Sequence, residues 1–213
     1  MTWALDHLGD ILTRAGQHAW LAGLPLVLGL VLAVPLGWLA SRQPRLRTVL
    51  LTTTGLLYTI PSLALFILLP SLLGTNILDS RNVVIAMTIY TVALLTRTVA
   101  DGLSSVDGST RQAAIAMGYG PVARFRSVDL PLAVPVIAAG LRVAAVSNVS
   151  IVSVASLIGI SQLGYFLTDG YARTFPTEVW VGIIACLVLA LLFDLVIQLA
   201  SRLLTPWTRA VAA

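Results

Sequence analysis

The sequence predicts an all-α membrane protein, one domain over residues 1–213 with about five transmembrane helices. Three observations lead there. Hydrophobic residues make up 58% of the chain and charged residues only 10%, where soluble domains carry roughly a quarter charged; mean hydropathy is +0.94. The apolar residues gather into runs over about 19–40, 48–73, 82–100, 133–158 and 179–204, each long enough to cross the roughly 30 Å hydrocarbon layer as a helix. The arginines are sorted by side. Arg42, Arg45 and Arg47, then Arg97 to Arg126, then Arg202 and Arg209 fall on one face of a five-span chain. The other face has Arg14, Arg81 and Arg173, diluted by Asp6, Asp10, Asp79, Asp169 and Glu178. Basic loops stay cytoplasmic, so the N-terminus is expected outside and the C-terminus inside.

The same composition excludes other classes. Net charge is +4, but the arginines act as orientation signals, and no nucleic-acid partner is implied. The chain has no lysine, so it lacks the phosphate-loop lysine that an ATPase of that type needs. The single cysteine, Cys186, rules out an internal disulfide, and two histidines, His7 and His18, are too few for a catalytic or metal cluster. The chain is expected to be no enzyme and to carry no cofactor or metal of its own.

Residues 1–18 place Trp3, Leu5, Leu8, Ile11, Leu12 and Ala15 loosely on one helical face, so this segment is expected on the membrane surface. It lacks the basic start and cleavage site of a signal peptide and is expected to be retained. The first span contains Pro25, Pro35, Gly29 and Gly37, marking kinks or close helix contacts. The second contains Pro61 and Pro70, and Tyr58-Thr59-Ile60-Pro61-Ser62 is polar for a span. Thr59 and Ser62 either satisfy carbonyls loosened by Pro61 or line a translocation path. The third ends at Arg97, which reaches the interface, with Asp101 a helical turn away as its candidate partner. Arg142 in the fourth span and Asp194 in the fifth each lie about ten residues, or about 15 Å, from the cytoplasmic side. A lone charge at that depth is costly. Either the two pair with each other, or each faces a vestibule or a partner subunit. Trp207 suits an interfacial anchor.

The loop over 101–131 holds the strongest signal. Ser109-x-x-Gln112 fits a capping box, Ala113 to Met117 favour helix, and Gly118 and Gly120-Pro121 end it. A helix of about two turns between spans three and four has the shape of a docking knob. The spacing Gln112-Ala113-Ala114, three residues, Gly118, nine residues, Val128-x-Leu130-Pro131 resembles the EAA loop of ABC-importer permeases, with Gln112 where that family usually has Glu. In that family the loop is the coupling helix that fits a groove on the ATP-hydrolysing subunit. By this resemblance Ser109, Gln112, Ala113, Ala114, Met117, Gly118 and Pro131 are the ATPase-coupling residues.

Further stretches resemble permeases of osmoprotectant importers for glycine betaine, carnitine, choline and proline betaine: Val34-Pro35-Leu36-Gly37, Thr59-Ile60-Pro61-Ser62-Leu63-Ala64-Leu65, and Leu157-Ile158-Gly159 with Leu163-Gly164. The last is shared with permeases for methionine and other small solutes. The resemblance covers about residues 10 to 207. It implies the type I (MetI-like) importer fold in a bacterial inner or plasma membrane. It also implies two ATPase subunits that carry ATP and magnesium, an extracytoplasmic solute-binding protein and a second permease subunit, a paralogue sooner than an identical copy. The outer loops 74–81 and 159–178 would receive the loaded binding protein. A quaternary ammonium is recognised by aromatic faces, and that cage is expected mainly in the binding protein. Tyr58, Thr59, Pro61, Ser62 and Tyr90 are the path candidates here, with Tyr165 a weak one. The chain departs from the pattern at Gln112, which forfeits any charge contact of the usual Glu, and at Ser161-Gln162, where many relatives have Gly-Gly. A permease for another small solute, such as an amino acid, is the near alternative. A secondary transporter is expected to show internal repeats, and an intramembrane enzyme a reactive constellation at depth; neither pattern is visible.

Overall fold

The computed structural model describes residues 2–207 and consists of helices joined by short turns. A short α1 (Thr2–Asp6) leads into α2 (Leu8–Arg42). Residues 8–18 therefore do not form a separate surface helix, as their amphipathic pattern suggested. They prolong the first span, which at 35 residues is about 50 Å long. The reason is packing within the chain: Arg14 stacks on Tyr165, 3.6 Å from the ring centre, and His18 is fully buried. Pro25 and Pro35 lie inside α2 without ending it.

The second apolar run is not one straight span. α3 (Pro44–Tyr58) and α4 (Ser62–Leu73) meet at 97°. Pro61 has no N–H to continue the ladder, and the residue before a proline is pushed out of helical geometry. The freed carbonyls are met locally. Thr59 Oγ1 donates to the Leu56 carbonyl (2.7 Å), the Ile60 N–H to Leu57 (3.3 Å), and the Tyr90 hydroxyl to Ile60 (2.5 Å).

α5 (Ser80–Ser104) is the central helix, with Val83, Ala86, Met87, Leu95, Val99 and Ala100 fully buried. Two glycines of α2 let it approach. A Cβ on Gly29 would lie 2.4 Å from Thr91 Cγ2, and one on Gly37 would lie 2.5 Å from Val99 Cγ1. The same sequence offset separates both pairs, so α2 and α5 run parallel. Two parallel neighbours cross in the same direction only if the chain between them crosses back. The broken α3–α4 pair is therefore a crossing, which gives five, counted over the described residues. Asp101 pairs with Arg47 of α3 (2.5 Å) and not with Arg97, because α3 brings Arg47 against the end of α5.

After α6 (Gly108–Ala116), helix resumes at α7 (Pro121–Arg124) and passes through a π turn, Phe125–Asp129, into α8 (Leu130–Ser153). The fourth span thus starts a dozen residues before its apolar run does. Pro121 suits a first helical position, and the wider π turn accommodates Pro131, which cannot donate into an α ladder. α8 runs antiparallel to α5, with Gly140 against Thr98 and Gly102 against Val136. A 3₁₀ turn (Val154–Ile158) and α9 (Tyr165–Ala172) follow, so the outer segment 159–178 is partly helical. α10 (Pro176–Leu204) closes the described chain. One face of α10 packs on α8 and α9, and most of its large apolar side chains are exposed, as suits a lipid-facing helix. Arg209 lies outside the described residues.

Candidate coupling and translocation sites

α6 projects from the arginine-rich end of the bundle. Its N-cap is Asp107, not Ser109: the Asp107 carboxylate accepts from the hydroxyl and the N–H of Ser109. Gln112 is therefore not the third residue of a capping box, and the exposed Asp107 takes the cap because its carboxylate accepts more strongly than a serine hydroxyl. The Ser109 hydroxyl first, then the N–H groups of Ser109 and Thr110, hold the Asp107 carboxyl below its usual range. At the other end Gly118 has φ +84°, its N–H donates to Ile115 (2.9 Å), and the Tyr119 N–H donates back to Ala114 (3.1 Å). This paired pattern is a Schellman stop, which needs a left-handed residue.

Ala114 faces inward and is 1% exposed, whereas Ile115 and Met117 are 55% and 69% exposed. Ser109, Gln112 and Ala113 are also exposed. Tyr119 and Val122 extend the apolar surface beyond the turn. Below the knob, Asp129 is buried between Arg111 (3.4 Å) and Arg124 (3.2 Å), which ties its root to the π turn. Pro131 lies one turn further, at the start of α8, away from the knob surface.

At the break in the second crossing, Tyr58, Thr59 and Pro61 are exposed and Ser62 is half-buried. Tyr90 is 3% exposed, donates to Ile60, and meets Tyr58 edge to face at 5.8 Å. It holds the break and presents little surface to a path. Thr59 both caps the loosened carbonyl and stays exposed. Sequence reasoning missed a row on α3: Thr48, Thr52, Gly55 and Thr59 share one face, and all four are exposed. The i, i+4, i+7, i+11 spacing carries that signal. The Thr48 and Thr59 hydroxyls donate to the Pro44 (3.2 Å) and Leu56 (2.7 Å) carbonyls of their own turns.

Arg142 and Asp194 form a two-bond ion pair, Nε to Oδ1 at 2.6 Å and a terminal nitrogen to Oδ2 at 2.9 Å. The pair joins α8 to α10 and borders an open groove of about 360 Å³ with Ala139, Val143, Val146 and Ser147.

The profile of a family described as "Binding-protein-dependent transport system inner membrane component" matches residues 26–210. The chain belongs to that family. Among similar proteins is the osmoprotectant import permease protein OsmW of Salmonella typhimurium, 33% identical over 96% of each chain. The glycine betaine/carnitine/choline transport system permease protein OpuCB of Bacillus subtilis is 27% identical over 97% of this chain and 94% of its own. An inward-facing structure of the MetNI methionine ABC transporter superposes with a TM-score of 0.83 at 19% identity, covering 94% of this chain and 98% of that one. That likeness establishes the type I importer fold.

This inner-membrane component also has a buried polar seam that sequence reasoning did not find. His18 sits between the Gln162 side-chain oxygen and the Val149 carbonyl, both at 2.9 Å. The Gln162 amide donates to the Ser153 carbonyl (3.1 Å), and its oxygen accepts the Gly164 N–H (2.5 Å). Gln162 is fully buried, so the departure at 161–162 replaces bare backbone with a side-chain plug that pins the outer loop to α2. Gly164 is obligatory there, since a Cβ would lie 2.3 Å from the Ser153 carbonyl. Deeper in, Asn148 donates to the Ala22 carbonyl (3.1 Å) and to Thr91 (3.0 Å). One ring face of Tyr165, the weak path candidate, is occupied by Arg14.

Proposed function

We propose that the chain is a membrane-spanning permease subunit of an ATP-driven importer for osmoprotectants such as glycine betaine, choline, carnitine or proline betaine. The observation that carries the coupling half is the knob: a short helix capped at both ends, with exposed Ile115 and Met117, at the arginine-rich end of the bundle. Arginine-rich ends stay cytoplasmic, which puts the knob within reach of a cytoplasmic ATPase. Closure of two ATPase subunits on ATP would shift docked knobs and rock the spans between inward- and outward-open forms. The rigid base needed for such a lever is supplied by Arg111, Asp129 and Arg124. The substrate class is supported by relatives whose names specify osmoprotectants and whose likeness runs along nearly the whole chain. A methionine-type amino acid is the second reading, favoured only by fold likeness.

The row Thr48, Thr52, Gly55 and Thr59, with Tyr58 and Ser62 at the break, would line the path. The Arg142–Asp194 pair would clamp α8 to α10 beside it and relay no proton. The outer segments 74–81 and 159–178 would meet an extracytoplasmic binding protein. A second permease subunit, preferably a paralogue, would complete the pore. The test is reconstitution with the ATPase and the binding protein in liposomes. Uptake of a betaine that stops when the ATPase is disabled supports the reading; uptake by this chain alone would replace it with a secondary carrier.

A further inference from the structure

The knob's root borders a polar cavity of about 420 Å³ that the coupling reading does not use. Its walls include Trp38, Ser41 and Arg42 from the end of α2, Arg111 from α6, Arg124 from α7, and Asp129. Three guanidinium groups face one carboxylate, so the cavity carries a net positive charge of about two. Their donors outnumber the acceptors at hand, since each guanidinium has five N–H groups. Arg111 gives one hydrogen bond to the Leu103 carbonyl, and Arg124 gives one to Asp129. The buried Arg111 Nε makes an ion contact with Asp129 but no hydrogen bond. Arg42 stacks on the Trp38 ring, 4.5 Å from its centre, and has no ion-pair partner among the described residues.

We infer that this cavity is an anion site that takes a phosphate group, with Arg42, Arg111 and Arg124 as its donors. Guanidinium forks match phosphate oxygens, and each charged bond is stronger than a neutral one. The depth fits a lipid headgroup. Trp38 and Arg42 end the first span, where tryptophan and arginine mark the interface, and basic pockets between spans hold anionic headgroups. A free phosphate offers the same oxygens. An occupant would bridge the end of α2 to the base of the knob and stiffen the joint between the spans and α6. The inference does not depend on ATPase docking, because the cavity belongs to this chain alone.

The test is a thermal-shift titration of the purified full chain in a neutral maltoside detergent. The probes are short-chain phosphatidylglycerol and, separately, inorganic phosphate. Arg42→Gln removes a donor that supports no carboxylate, and Arg45→Gln removes an exposed arginine that lies outside the cavity wall. Phosphatidylglycerol is expected to stabilise the wild-type chain, with half-saturation raised about ten-fold by Arg42→Gln and unchanged by Arg45→Gln. If inorganic phosphate gives the same Arg42-dependent shift, the site takes a free anion; if only the lipid does, it is a headgroup site. No stabilisation of the wild type by either probe, or equal losses in both variants, would overturn the inference.

Discussion

The knob offers the sharpest test of coupling. Ile115 and Met117 are 55% and 69% exposed at the end of one short helix, while Ala114 just before them is buried. Full burial of such a side chain contributes about 1.5–3 kcal/mol. Scaled by what is still exposed, and allowing for the part a serine keeps, covering both with an ATPase groove is worth about 2 kcal/mol. Replacing both with serine, Ile115→Ser with Met117→Ser, should therefore weaken ATPase binding about thirty-fold. The substitution leaves Ala114, the Asp107 cap and the Gly118 turn in place, so the permease should keep its own melting temperature. The assay is titration of the ATPase subunit onto permease in nanodiscs, paired with a thermal melt of the permease alone. An unchanged affinity at an unchanged melt would refute the docking argument. By contrast, Ala114→Arg forces a long charged side chain into the packed root, and a loss of coupling in it would not separate docking from folding.

Two further outcomes follow from the caps and the outer seam. Gln162→Gly should strand one nitrogen of the buried His18 ring and the Gly164 N–H, which the Gln162 oxygen now satisfies. Each buried group left without a partner costs about 1–3 kcal/mol, so a clear fall in melting temperature and faster amide exchange over 159–172 are expected; wild-type values would mean that water replaces the plug. The Asp107 carboxyl titrates lower when folded than when unfolded, so its cap stabilises α6 fully above the ordinary carboxylate range. That contribution is lost as pH falls through the lowered value. Protection of the amides over 113–119, measured against their intrinsic exchange rates at each pH, should fall on acidification below about pH 4, and Asp107→Ala should remove that acid dependence. An acid response identical in the variant would assign it to another group.

Much of the fold was legible because a bilayer constrains sequence strongly. Long apolar runs had to be spans, and the sorting of Arg42, Arg45, Arg47, Arg111, Arg124 and Arg126 gave the orientation reading. The stop at Gly118 and the helix before it were readable because they depend on local backbone geometry. The cap was misplaced by two residues, since Asp107 and Ser109 both suit an N-cap and only the folded turn shows which carbonyl starts the ladder. Arg142 and Asp194 drew notice as charges at similar depth, but depth alone does not say which faces they occupy.

What the sequence determined by itself was the solvent of each segment, because transfer between water and hydrocarbon depends on composition over a window. What only the tertiary structure decided was how the segments meet. The 97° break at Thr59–Pro61, the parallel pairing of α2 with α5 through Gly29 and Gly37, and the plug made by Gln162 all need partners from distant parts of the chain. A proline permits a bend, a glycine permits a close approach, and a glutamine offers a donor and an acceptor. Which of these options is used depends on the carbonyl or side chain that packing places opposite, and no stretch of sequence contains both halves of that choice.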